Sequence, residues 1–205
     1  MIDDFVYPTA ESRMITFQIG AICVNWSQID AHLGMILGKY IKAPSAHLDV
    51  ATSILDLSRK CELIKALAFI VEDRKSYAKL EKALHFLDND LRPTRNRYVH
   101  DSYSFFTGKN TRKIFRTKVV GIQSFKKELF TRSEQPITQE ELTTFNSDLD
   151  IFSQYIVGHL MAMILERSKL KEDAIKAFDE VSKEAYGNLA AVIKRYRSPS
   201  TPKPD

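Results

Sequence analysis

Apolar residues recur every three or four positions from about residue 11 to residue 41, where Ile15, Ile19, Ile22, Trp26, Ile29, Leu33, Ile36 and Tyr40 form a stripe widened by Phe17, Ala21 and Val24. That period predicts one long helix whose stripe is core or dimer interface. Leu48, Ala51, Leu55, Leu63, Leu67 and Ile70 keep the period from about His47 to Val71, with Pro44 at the join, so a second helix is expected with a densely apolar, buried end. A third is expected from about Tyr77 to Leu91, with Leu80, Leu84, Leu87 and Leu91 inward. Pro93 then interrupts it. Proline lacks a backbone donor but suits the first turn of a helix, so Thr94 to His100 is expected to form a turn or two after a kink.

From Tyr103 the period changes to two. Tyr103 and Phe105 precede a turn at Thr107 to Asn110, after which Ile114, Arg116, Lys118 and Val120 alternate with Phe115, Thr117 and Val119. This predicts a β-hairpin or small meander over about 103–130, followed by a loop at Ser133 to Pro136. Thr138 with Glu141 three residues later is a capping box that opens a fourth long helix, carrying Leu142, Phe145, Leu149, Phe152, Ile156, His159, Met163 and Leu165. Ile175, Phe178, Val181, Tyr186, Leu189 and Ile193 mark a last helix over about 170–196. The expected fold is mainly α: an up-and-down bundle of about five helices with a β-hairpin inserted before the fourth. One domain is expected over 1–197, with 198–205 a disordered tail.

Composition supports this reading. Glycine and proline number only seven each in 205 residues, and three of the prolines fall in the last seven positions, leaving few turn formers in the body of the chain. Strand–helix alternation is absent, which argues against Rossmann and TIM architectures. Cys23 and Cys61 have neither CxxC nor zinc-ligand spacing, so two reduced cysteines are expected rather than a disulfide scaffold or a metal module. Met1-Ile2-Asp3-Asp4 is acidic where a secretory signal is basic, and apolar runs such as Ala66–Val71 are short, so a soluble cytoplasmic protein without a membrane span is expected.

The formal net charge of +4 hides a strong segregation. Eleven Lys and Arg lie between Arg92 and Arg132 against two acids, Asp101 and Glu128, so this stretch carries +9 and the rest of the chain −5. Such a region attracts phosphates, and Arg92, Arg97, Lys109, Arg112, Lys113, Arg116 and Lys118 are its candidate RNA contacts. The alternative is a solvated face of the hairpin and its flanks.

No glycine-rich phosphate loop, serine elbow or histidine pair with metal-ligand spacing occurs among the five histidines. His32 and His159 sit near apolar stripes and are expected to be satisfied core residues; His47 and His85 are expected to be exposed. What remains is Arg95-Asn96-Arg97-Tyr98-Val99-His100-Asp101. On a helix, Asn96 and His100 share a face, Arg92 lies one turn earlier on it, and Arg95 flanks the histidine rather than stacking on it. An imidazole can move a proton, an arginine can clamp a phosphate, and an amide can orient the ring. Those are the parts needed to cleave RNA without a metal, because RNA brings its own nucleophile, the 2′-hydroxyl. The alternative is structural: Arg95 paired with a carboxylate such as Asp101, Asn96 capping backbone, and His100 ending a helix.

Arg95-Asn96 followed by His100 resembles the signature of the HEPN superfamily, an arginine, four to six residues and a histidine, with a polar residue after the arginine. A long helix with Trp26 and Asp30 in its middle, a second long helix, and the motif late in the array also resemble that family over about residues 11–167. The resemblance implies a helical homodimer with two motifs in one cleft, Arg95 and His100 as catalytic pair, Asn96 as the adjacent polar position, and no cofactor or metal. It also implies a metal-independent endoribonuclease of toxin–antitoxin, antiviral-defence or RNA-processing systems, with RNA and an antitoxin or other protein as partners. Some members are instead non-catalytic modules that bind nucleic acid or protein.

Overall fold

The structure, a computed structural model, describes residues 10–44, 52–107, 112–119, 132–165 and 172–198. Within them the chain is mainly helical. Helices α1 (Ala10–Ile41), α2 (Leu57–Val71) and α3 (Arg74–Phe86) lead into a π-helical turn at Leu87–Leu91 and then α4 (Arg92–His100). Antiparallel backbone pairing joins β1 (Ser102–Thr107) to β2 (Arg112–Val119), and β2 to β3 (Arg132–Pro136). Helices α5 (Gln139–Leu165) and α6 (Glu172–Arg197) complete the order. Of the region read as a hairpin, 108–111 and 120–131 fall outside the described residues, as do 199–205 of the tail.

Several boundaries differ from those the pattern predicts, each for a local reason. The predicted start near His47 lies outside the described residues; α2 begins at Leu57, after a break that follows helical Thr52 and Ser53, because Asp56 is extended and its carboxylate accepts the Arg59 N–H. Its packed face is Leu57, Cys61, Ile64 and Ala68, a step round from the predicted stripe. The densely apolar end is therefore largely exposed, Phe69 at 71% and Ile70 at 77%. α3 starts at Arg74 because the Asp73 carboxylate accepts the Lys75 and Ser76 N–H groups. At Pro93 the helix widens instead of breaking: the Arg92 N–H reaches back five residues to the Leu87 carbonyl. A π turn makes room where a proline lacks its donor and would crowd the carbonyl four residues earlier. Ser133 to Pro136, read as a loop, pairs with β2 as Phe115↔Pro136 through Lys118↔Ser133.

The chain gathers into two compact units, one of Met1–Cys23 with Thr94–Ser147, the other of Val24–Pro93 with Asp148–Asp205. In the first, Ile15, Ile22, Ile137, Leu142 and Phe145 are buried. Asn146 Nδ2 donates to the Gln18 carbonyl (3.0 Å) and to Gln18 Oε1 (2.7 Å), tying α5 to α1. The Thr138–Glu141 capping box forms with both of its reciprocal bonds.

In the second unit, Ile29, Leu33, Ile36, Ile64, Leu80, Leu84, Phe152, Ile156 and Leu189 are all buried. α1 and α2 run parallel there, pinned by Lys60 Nζ on both Asp30 oxygens (2.8 Å each) and by the Tyr40 hydroxyl donating to Glu72 (2.7 Å). α3 and α6 are also parallel: Lys79 Nζ stands 5.0 Å over the Tyr186 ring, and the Phe86 and Tyr196 rings meet edge to face at 5.1 Å. Asp148, buried on α5, pairs with Arg195, and burial nonetheless raises its carboxyl above the usual range.

Candidate functional site

The motif lies on α4 in the first unit, and three aromatic residues hold that helix. The Tyr98 ring tilts onto Phe145 at 5.2 Å. Tyr103, on β1, donates its hydroxyl to the Tyr98 carbonyl at 2.6 Å, satisfying an acceptor that the helix end would leave orphaned. The Asp101 N–H closes the last turn on the Arg97 carbonyl (3.2 Å). No motif search selects these supporting groups; the only sequence signal was that Tyr103 and Phe145 belong to the predicted strand and helix stripes.

On this frame Arg95 Nη1 stands 3.1 Å from His100 Nε2 and donates to Asn96 Oδ1 at 3.2 Å. Five residues of helix separate the first pair by about 140° and about 7.5 Å of rise, and the arginine side chain spans that gap. Arg95 therefore touches the histidine instead of merely flanking it, and Asn96 is engaged by Arg95 rather than by the ring. Arginine only donates, so Nε2 is placed to accept in this contact. Asn96 and His100 are exposed and Arg95 is half-buried, so the pair is open to a ligand. A guanidinium against an imidazole on an open helix end can bind a phosphate and move a proton beside it.

The candidate RNA contacts are divided between the two units and positions outside the described residues. Arg92 belongs to the second unit, where its Nε lies 2.9 Å from Asp88 Oδ1 and donates to the Asp88 carbonyl. Arg97 is half-buried on α4. Lys109 lies outside the described residues, while the backbone of Arg112, Lys113, Arg116 and Lys118 is in β2, opposite Thr107, Phe106, Tyr103 and Ser133 respectively.

A second polar cluster occupies the other unit. His159, on α5, places Nε2 3.2 Å from the Tyr40 hydroxyl and 3.8 Å from Glu72, and burial pulls its pKa down to about 4. Since Tyr40 donates to Glu72, it accepts from His159, which is neutral and satisfied as the sequence suggests. His32 departs from that expectation: it is half-buried, its Nδ1 has no hydrogen-bond partner among the described residues, and desolvation lowers its pKa. His85 is exposed. Cys23 and Cys61 are free thiols, and burial pushes that of Cys61 up to about 12.

Among the described residues no three His, Cys, Asp or Glu converge as metal ligands, and no helix is long and apolar enough to cross a membrane. Neither a protein-family model, nor a curated protein, nor a solved structure matches the chain.

Proposed function

We propose that this protein is a homodimeric, metal-independent endoribonuclease of the HEPN kind, acting in the cytoplasm as a toxin or antiviral effector. The observation that carries the reading is the contact of Arg95 Nη1 with His100 Nε2 on an exposed helix end. In the reaction, His100 as general base takes the 2′-hydroxyl proton while the 2′-oxygen bonds to the adjacent phosphorus. The bond from phosphorus to the 5′-oxygen breaks, and that oxygen leaves with a proton from a general acid, the His100 of a second copy across the cleft. Arg95, drawn from the imidazole to the phosphate, neutralises the phosphorane and frees Nε2 to accept the proton. Asn96 holds the arginine in reach of both. The stretch before α5 serves as an arm for the RNA, its charges Lys109, Arg112, Lys113, Arg116 and Lys118 interspersed along the sequence with Tyr103, Phe105 and Phe115.

Purified protein incubated with RNA in EDTA is expected to leave 2′,3′-cyclic phosphate ends, and His100→Ala to abolish them. Cleavage that survives the substitution, or none on any RNA tried, sinks this reading. The same hydrogen bonds also favour a second one, since Arg95 Nη1 is already engaged within its own helix. A non-catalytic module binding nucleic acid or a protein through the basic segment would lose binding on charge reversal of Lys113 and Arg116, and His100→Ala would alter stability alone.

A further inference from the structure

We propose that the seam between α3 and α6 is a binding surface for the sugar-phosphate backbone of RNA, distinct from the basic stretch that the sequence displays. It rests on the nucleic-acid side of the functional reading and not on the chemistry at His100.

Counting about 100° per residue, Lys75 and Lys82 fall within about 60° of Lys79 on α3, and Lys183, Lys194 and Arg197 fall within about 80° of Tyr186 on α6. Lys79 and Tyr186 touch, so the two arcs meet. The helices are parallel, with their buried residues on one side: Leu80, Ala83 and Leu84 on α3, Leu189, Val192 and Ile193 on α6. In a right-handed helix that places both arcs on the opposite, solvent side of the same seam. Lys75, Lys82, Lys183, Lys194 and Arg197 are all exposed. None of the six cations is in an ion pair among the described residues, whereas Arg92 and Arg195 elsewhere are neutralised by Asp88 and Asp148.

Nothing bulky or anionic stands between the charges along α6. Gly187 and Ala190 occupy that stretch of the arc, and a side chain built at Gly187 would meet no atom within 4 Å. Glu184 beside Lys183 and Glu81 beside Lys82 fall on the far sides of their helices at about 100° per residue, Asp179 and Glu180 lie a turn before Lys183, and Asp73 caps the start of α3 near Lys75. From Lys183 to Arg197 the seam runs about 21 Å at 1.5 Å per residue, which covers roughly six nucleotides of a helical strand at 3.4 Å each. Six unpaired cations over roughly six phosphates is a match in both number and length, and exposed flexible lysines suit a backbone read without sequence preference.

The test uses a fluorescein-labelled RNA of 2′-O-methyl nucleotides, which the protein cannot cut, with affinity followed by anisotropy across salt. Removing three phosphate contacts with K75Q, K82Q and K194Q together is expected to reduce the slope of log affinity against log salt by about 2, and to weaken binding about 100-fold at 0.1 M salt. The triple arginine variant at the same positions is expected to bind like the parent. Unchanged affinity and slope in the glutamine variant overturn the proposal. So does weakening confined to duplex DNA or to phosphatidylserine vesicles while RNA binding is untouched. A protein that grips this RNA through the seam yet cuts no RNA refutes the ribonuclease and leaves the surface standing. Cleavage that depends on His100 but is indifferent to the seam does the reverse.

Discussion

Acidification should destabilise this protein through one buried histidine, and the size of the effect follows from its surroundings. The His159 side chain is 11% exposed, and burial holds its pKa at about 4 against an ordinary 6.5. Glu72, 3.8 Å away, would favour the imidazolium, but its near oxygen already takes the Tyr40 hydroxyl, and desolvation prevails. The folded chain thus keeps His159 neutral through a range where the unfolded chain protonates it. Above pH 6.5 both states are neutral and stability is unaffected; as pH falls from 6.5 to 4 unfolding takes up a proton and stability drops, levelling off below the folded pKa. At about 1.4 kcal/mol per pH unit the total is about 3 kcal/mol, of which about 2 kcal/mol is gone by pH 5. Urea denaturation followed by the fluorescence of Trp26, at pH 7.5 and pH 5, measures it. His159→Gln retains an amide donor for Tyr40 and cannot titrate. The loss in the parent should exceed that in the variant by about 2 kcal/mol, near 1 M urea at a typical slope. Titration of Asp148 and His32 is common to both proteins and cancels in the difference. Equal losses in the two would refute the reasoning.

Two further substitutions probe the frame. Lys60 is 5% exposed at its side chain and Asp30 40%, so Asp30→Ala strands a buried ammonium while Lys60→Met leaves a carboxylate that water reaches; thermal melts should show the aspartate variant several kcal/mol less stable and the lysine variant much less affected. Tyr103→Phe removes the hydroxyl that holds the Tyr98 carbonyl at the end of α4, and is expected to cost about 1 kcal/mol in a denaturant titration and, on the ribonuclease reading, to reduce turnover more than substrate affinity.

How far the fold was legible depended on whether its signals were local. The period of α1 is long and regular enough that its predicted bounds, 11–41, fall within a residue of Ala10–Ile41. Thr138 and Glu141 announce α5 because a capping box is complete within four residues. Asp56 and Asp73 are equally local caps, but each stands beside apolar or charged residues that extend the helical period outward, and periodicity alone runs past them. The covered face of α2 differs from the predicted stripe for a different reason. Both Leu63–Leu67–Ile70 and Leu57–Cys61–Ile64–Ala68 satisfy a helical period, and only the neighbours the fold supplies decide which of the two is covered.

The candidate site divides along the same line. Arg95 and His100 are five residues apart, so a pattern in one dimension finds them, and their contact at 3.1 Å requires only the reach of an arginine along its own helix. The groups that hold that helix, Tyr98 against Phe145 and Tyr103 against the Tyr98 carbonyl, are ordinary apolar positions until the chain closes on itself. Charge behaves likewise. A run between Arg92 and Arg132 stands out because its cations are consecutive, yet Arg92 within it is neutralised by Asp88. Lys75, Lys79 and Lys82 are separated from Lys183 and Lys194 by about a hundred residues, and each group alone looks like a solvated helix face with acids nearby. Packing Lys79 on Tyr186 brings the two arcs to one seam. Electrostatic recognition depends on charge per unit of surface, and a count along the chain equals that density only where the chain is extended. In a helical protein it is helix pairing, more than a run of basic residues, that determines where a polyanion can lie.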